Sequence, residues 1–198
     1  IMGKIDSIRK TVKNAKILPK IYMLHGDLTD EEMNGLYNHP KVKAHISFTK
    51  GEGFGRPLLE ASISQKPVIA SSWSGHVDFL DKDKAILLPG QLTNVHPSAA
   101  WDKVILTESK WFTVNYPVAS KVINDVWVNY DKYHKSAKKL GLLNIDKFSL
   151  SSMHRVFEDQ LNRYLPQFPK QVDIKLPDLK KITLPKKEVT NEKTSATV

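Results

Sequence analysis

The sequence predicts an α/β fold in which a parallel, doubly wound sheet is flanked by helices. Three observations carry this. Short apolar runs between residues 17 and 88 alternate with stretches of helical periodicity, the pattern of strands joined by helical crossovers. A glycine-rich turn, Gly51-Glu52-Gly53-Phe54-Gly55, follows one such run and leads straight into a helix. The 198 residues, 40% hydrophobic and 26% charged, suffice for one domain with a proper core.

The elements follow in order. Lys4 to Lys16 reads as an amphipathic helix with Ile5, Ile8, Val12 and Ala15 on one stripe. Ile17 to Leu24 reads as a strand, with Pro19 near its start. Thr29 is the natural N-cap of the next helix, and Glu32 completes a capping box. Met33, Leu36 and Tyr37 form that helix's apolar side. Val42 to Phe48 is the second strand and the glycine turn follows it. Leu58 to Gln65 is a helix, Pro67 to Ser71 a strand, Ser72 to Gly75 a loop, Val77 to Leu80 a short helix and Ala85 to Leu88 a strand. Residues 90–109 read as irregular, with short hairpin pieces. Pro117 to Leu140 carries one long helical pattern through Val118, Val122, Val126, Tyr130 and Tyr133, with Pro117 suited to the first turn. Ser149 to Leu165 is the last helix, capped by Ser149, Ser151 or Ser152. Trp101, Trp111 and Trp127 are expected to pack the C-terminal helices against the sheet.

From Pro166 onward proline and lysine dominate, and Ile174-Lys175-Leu176-Pro177 recurs as Ile182-Thr183-Leu184-Pro185. Prolines at this spacing forbid a helix and favour extended or polyproline backbone. Composition alone would leave the segment disordered. The expectation is an extended strap whose Ile and Leu residues act as anchors. Two parts result: a folded domain over 1–165 and an extended tail over 166–198.

Net charge is +9, with lysines spread over the N-terminal segment, the stretch 132–147 and the tail. Without one packed basic run and interleaved aromatics, a solvated basic surface is favoured over nucleic-acid binding. Peripheral contact with an anionic membrane stays compatible with that charge. No apolar run approaches the roughly 20 residues that cross a bilayer, and no secretory signal is visible. Cysteine is absent, which excludes disulfides and thiolate metal sites. The seven histidines show no convincing ligand spacing, and His25, His45 and His76 read as structural or loop residues. The expected location is the cytoplasm.

At the glycine turn, Gly51, Gly53 and Gly55 let the backbone approach a ligand closely. The helix that follows offers N–H groups and a positive dipole end, which attract phosphate. In open α/β sheets ligands sit beyond the carboxyl ends of the strands, where this turn lies. Glu52 and Glu60 are eight residues apart and both can face that cleft. Carboxylates accept hydrogen bonds from vicinal diols such as those of ribose or a hexose. The combination suits a sugar nucleotide. Competing motifs fail: Arg56 stands where a dinucleotide fingerprint needs its third glycine, no Walker lysine follows, and Gly-x-Ser-x-Gly is absent. A hydrolytic carboxylate pair would not need the glycine turn.

The Glu52-to-Glu60 frame resembles the Glu-x7-Glu motif of retaining GT-B glycosyltransferases, in the large group 1 or family 4. Further similarity lies in Gly26-Asp27-Leu28-Thr29-Asp30-Glu31-Glu32-Met33, Gly51 to Ala61, Lys66-Pro67-Val68-Ile69-Ala70 and Ser74-Gly75-His76-Val77-Asp78-Phe79. It covers residues 17–90 well and the helices to about 165 loosely, and resembles the C-terminal, donor-binding half of the fold. The resemblance implies a Rossmann-like domain, half of a GT-B fold. It implies a hexosyltransferase-type enzyme of carbohydrate biosynthesis moving a sugar, with retention, from a UDP or GDP sugar to an acceptor. It implies that Glu60 binds the ribose hydroxyls. Glu52 is the expected catalytic residue, holding the transferred sugar with the amides of Gly53, Phe54 and Gly55. Ser74 and Gly75 would border the diphosphate, and Lys50 and Arg56 would add positive charge. No metal or other cofactor is implied, because protein cations and helix dipoles would stabilise the leaving diphosphate.

Two departures matter. Gln65 stands where many relatives have glycine. The family's early arginine and lysine have no clear match, since Arg9, Lys10 and Lys13 lie on a helix without the expected preceding strand. The N-terminal GT-B half is not in this sequence, and Ile1 before Met2 reads as an internal junction. The expectation is a fragment, or a short relative needing a partner subunit, that transfers little or nothing alone. The competing reading is a non-catalytic module that binds nucleotide sugars or docks elsewhere.

Overall fold

The computed structural model describes residues 1–13 and 18–166. The end of the first expected helix and the Pro/Lys-rich tail beyond Pro166 lie outside the described residues. The chain divides into two compact units, Ile1–Glu158 and Asp159–Val198.

The first unit is α/β. Three parallel strands, β1 (His45–Ser47), β2 (Val68–Ser71) and β3 (Ile86–Leu88), lie in that order, with His45 opposite Val68 and Ile69 opposite Ile86. Helix α2 (Asp30–Asn38) precedes β1 and α3 (Arg56–Ile63) joins β1 to β2. A 3-10 turn, Gly75–Asp78, lies between β2 and β3. An antiparallel pair follows, β4 (Gly90–Asn94) with β5 (Lys110–Val114), then α4 (Tyr116–Val128) and α5 (Tyr130–Phe148). Helix α1 (Met2–Thr11) starts the chain. Helix α6 (Leu150–Tyr164) begins in the first unit; its last turn and the residues to Pro166 are what is described of the second.

Alternation along β2 explains how both sheet faces are covered. All four of its residues are buried, as a central parallel strand demands. Val68 and Ala70 join Leu58, Leu59 and Ala61 of α3, Phe79, Leu80 and Leu140 of α5 in one cluster. Ile69 joins Leu88, Phe112 and Val114 of β5, and Ala119 and Val126 of α4, in a second. Asn144 of α5 is buried too, donating to Ser62 Oγ (2.8 Å) and to the Phe79 carbonyl (3.2 Å).

The α2 capping box forms as expected: Glu32 N–H donates to Thr29 Oγ1 (3.2 Å) and Thr29 N–H donates to Glu32 Oε2 (2.9 Å). Four expectations need correction. Residues 18–24 form no strand; Ile21, Tyr22, Met23 and Leu24 are exposed. Strand propensity is realised only against a neighbour, and Pro19 removes a donor. The helix expected over 117–140 breaks at Asn129 (φ −110°, ψ 38°) and resumes to Phe148. The run Val126-Trp127-Val128-Asn129 is poor in helix formers. The Asn129 amide ties back to Asp125 (2.7 Å), which also accepts from the Tyr133 hydroxyl. Trp101 and Trp127 are exposed rather than packed on the sheet. Within 90–109, β4 is regular and pairs with a strand that starts at Lys110.

Candidate functional site

The glycine turn leaves the carboxyl end of β1 and enters α3, and the loop after β2 lies beside it. Gly55 is the helix N-cap and adopts φ 87°, a left-handed conformation that favours glycine. A β-carbon there would come within 3.0 Å of the His76 β-carbon. The Gly55 carbonyl accepts from both Leu58 (2.9 Å) and Leu59 (3.1 Å), and Pro57 has no N–H to offer. Among the described residues no acceptor is bonded to the backbone N–H groups of Gly53, Phe54, Gly55 or Arg56. Those four donors stand at the positive end of α3, the arrangement an anion fits.

The two strand-end loops are clasped through the main chain of Glu52. Its N–H donates to Ser74 Oγ (2.8 Å), while its carbonyl accepts from the Ser74 hydroxyl (2.5 Å) and from Gly75 N–H (3.0 Å). Gly75 is required by close approach, since a β-carbon would sit 1.9 Å from the Gly53 carbonyl oxygen. Ser74 holds φ 91°, a costly conformation sustained by its bonds to Glu52. Beneath them His76 is fully buried; its Nε2 lies 2.7 Å from the Ser71 carbonyl, which assigns the ring proton to Nε2. Nδ1 is then a buried acceptor without a partner among the described residues. The structural role read for His76 in the sequence fits these contacts.

The two carboxylates have different surroundings. The half-buried Glu52 lies with Cβ and Cγ 3.6 Å from the position a Gly55 β-carbon would take, so its stem rests against the start of α3. Glu60 sits one turn into α3 and pairs with Arg56 at 3.2 Å, both groups well exposed. Burial, and then the charge of Glu60, push the Tyr37 hydroxyl above its usual pKa. Glu60 therefore lies within electrostatic reach of α2. Phe54 is 47% exposed yet packs on Phe79 (5.2 Å between centroids) and Phe148 (6.0 Å). It anchors the turn to the core.

Lys50 turns toward the hairpin. Its Nζ donates to Thr113 Oγ1 (3.1 Å) and lies 5.1 Å from the Trp111 ring centroid. Trp73 stacks on Phe112 (6.0 Å, 5° between planes) and covers Gly51, where a β-carbon would meet it at 3.1 Å. The structure thus brings together Glu52, Gly53, Gly55, Ser74 and Gly75. It sets Arg56 and Glu60 on the exposed flank of α3 and holds Lys50 against β5. Sequence reasoning missed Phe112 and Thr113 as supports, because their strand was not recognised. Gln65 takes φ 60°, a left-handed conformation that favours glycine, at the position where the resemblance implies one in many relatives. Among the described residues no group of three or more His, Cys, Asp or Glu side chains converges as a metal ion would require. No helix among them is long and apolar enough to cross a membrane. Comparison with known family models and with curated proteins returns no match for this chain.

Proposed function

We propose that this chain is the donor-binding half of a retaining GT-B glycosyltransferase, holding a UDP or GDP sugar at the glycine turn. The observation that carries the reading is the run of four backbone N–H groups without acceptors among the described residues, Gly53 to Arg56, at the start of α3, with the Glu52 stem beside Gly55. In this reading Glu52 holds the transferred sugar, and the amides take the diphosphate rather than the sugar to which the resemblance assigns those of Gly53, Phe54 and Gly55. Glu60 exchanges its exposed bond to Arg56 for the ribose diol, leaving Arg56 free to approach the phosphates. An exposed pair of this kind contributes only ~0.2–1 kcal/mol, so the exchange is cheap. Transfer requires a facing lobe that brings the acceptor, so the isolated chain binds without turning over. The protein works in the cytoplasm, without a metal.

A second reading, a module that binds nucleotide sugars without any transfer, is favoured by one observation: Lys50 is held by Thr113 and Arg56 by Glu60, so neither cation is placed to stabilise a leaving diphosphate. Calorimetric titration with UDP and GDP tests the shared core of both readings. Saturable binding is expected, abolished in Glu60→Ala. Unchanged affinity in that variant would refute the ribose role.

A further inference from the structure

The opposite end of the sheet carries a second cluster. Lys43 lies two residues before His45 and Lys66 two before Val68, and His45 and Val68 are partners in register. The two lysines therefore stand at the amino ends of neighbouring parallel strands. Lys66 Nζ donates to the Tyr37 carbonyl (2.6 Å) and the His39 carbonyl (2.7 Å) at the end of α2, which fixes its ammonium in place. Lys43 Nζ lies 5.8 Å from the Tyr130 ring centroid on α5, and that ring stacks on His134 at 5.2 Å. Lys138 follows one turn on.

We propose that Lys43, Lys66, His134 and Lys138 form a binding site for a phosphate group, separate from the glycine turn and at the other end of the strands. Three elements contribute: the lead-in to β1, the lead-in to β2, and α5. The aromatic rings of Tyr130 and His134 form its wall and bring an N–H donor to it. The cations already repel one another. Burial and then Lys43 hold the Lys66 ammonium below its ordinary pKa. Burial lowers His134, with Lys138, Lys43 and Lys66 adding to the effect, while Asp131 opposes it. Among the described residues, Lys138 and Asp131 on α5 and Lys43 and Lys66 from the strand lead-ins carry the charges that act on His134, and the Tyr130 ring stacks on it. A bound dianion would reverse the balance by supplying the counter-charge that Asp131 alone does not. The site is independent of the nucleotide reading, because none of these residues belongs to the glycine turn.

The test is a pH titration of the His134 imidazole by NMR on the full chain, in inorganic phosphate and in chloride at matched ionic strength. Phosphate is expected to raise the titration midpoint in a saturable way, and Lys43→Gln with Lys138→Gln is expected to remove the effect while the thermal midpoint stays in place. An identical midpoint in both salts would overturn the proposal, and because that comparison uses the unaltered protein it does not depend on a variant folding. A second arm uses vesicles of phosphatidylcholine with and without phosphatidylglycerol. Cosedimentation with the anionic vesicles, lost in the double variant, identifies a lipid headgroup as the source. A response to inorganic phosphate without cosedimentation identifies a free phosphate.

Discussion

Gly75→Ala is the sharpest probe of the clasp between the two strand-end loops. The new β-carbon would lie 1.9 Å from the Gly53 carbonyl oxygen and 2.7 Å from its carbon, where real contacts do not fall below 3.0 Å. One loop must retreat by about 1 Å, and the 3.0 Å bond from Gly75 N–H to the Glu52 carbonyl opens. Overpacking of this kind costs ~1–3 kcal/mol and a lost backbone bond ~1 kcal/mol, so a destabilisation of roughly 2–4 kcal/mol is expected. At about 2–4 °C per kcal/mol for a chain of this size, Tm falls by roughly 5–15 °C. Thermal unfolding followed by circular dichroism measures this directly. Gly53→Ala is the internal control: its β-carbon meets nothing within 4 Å and its φ is not positive, so stability should move by less than about 0.5 kcal/mol. The reasoning is refuted if the two variants melt within about 1 °C of each other, a difference too small for the predicted gap.

Ser74→Ala removes both side-chain bonds to the Glu52 main chain and should cost ~1–2 kcal/mol by chemical denaturation, with weaker UDP binding by calorimetry. Glu60→Ala should leave Tm nearly unchanged, because the pair it breaks is exposed, while nucleotide binding disappears. His45 is held below its ordinary pKa by burial and then by Lys66. The folded chain therefore binds fewer protons there than the unfolded chain, so this contribution to stability is full above about pH 6.5 and fades as pH falls below it. His45→Gln should flatten the dependence of Tm on pH between about 5 and 7, and an unchanged slope would contradict the assignment.

What could be read from the sequence depended on whether a signal was local. The Thr29–Glu32 capping box was legible because both partners lie within one turn. β1, α3, β2 and β3 were legible because apolar runs and the glycine turn punctuate them. The strand expected from Ile17 to Leu24 does not form over residues 18–24, because an apolar pattern is local but the hydrogen-bond partners a strand needs are not. β5 was hidden for the same reason: it pairs with β4 across a 15-residue connection that carries no tight-turn signal, and Phe112 and Val114 are buried against Ile69, Leu88 and α4, all distant in sequence or on other elements. The Asn129 break depends on side-chain ties to Asp125 that periodicity cannot register. In the candidate site, the glycines and carboxylates could be named beforehand. The clasp of Ser74 and Gly75 on Glu52, and the diversion of Lys50 to Thr113, depend on loops meeting in space.

The most direct test follows the backbone amide resonances of Gly53, Phe54, Gly55 and Arg56 while UDP or GDP is added to the full chain. Saturable shifts concentrated on these four amides, and absent in Glu60→Ala, are predicted. Shifts centred elsewhere on the chain, or none at any nucleotide concentration, would contradict the claim that this turn receives a nucleotide diphosphate.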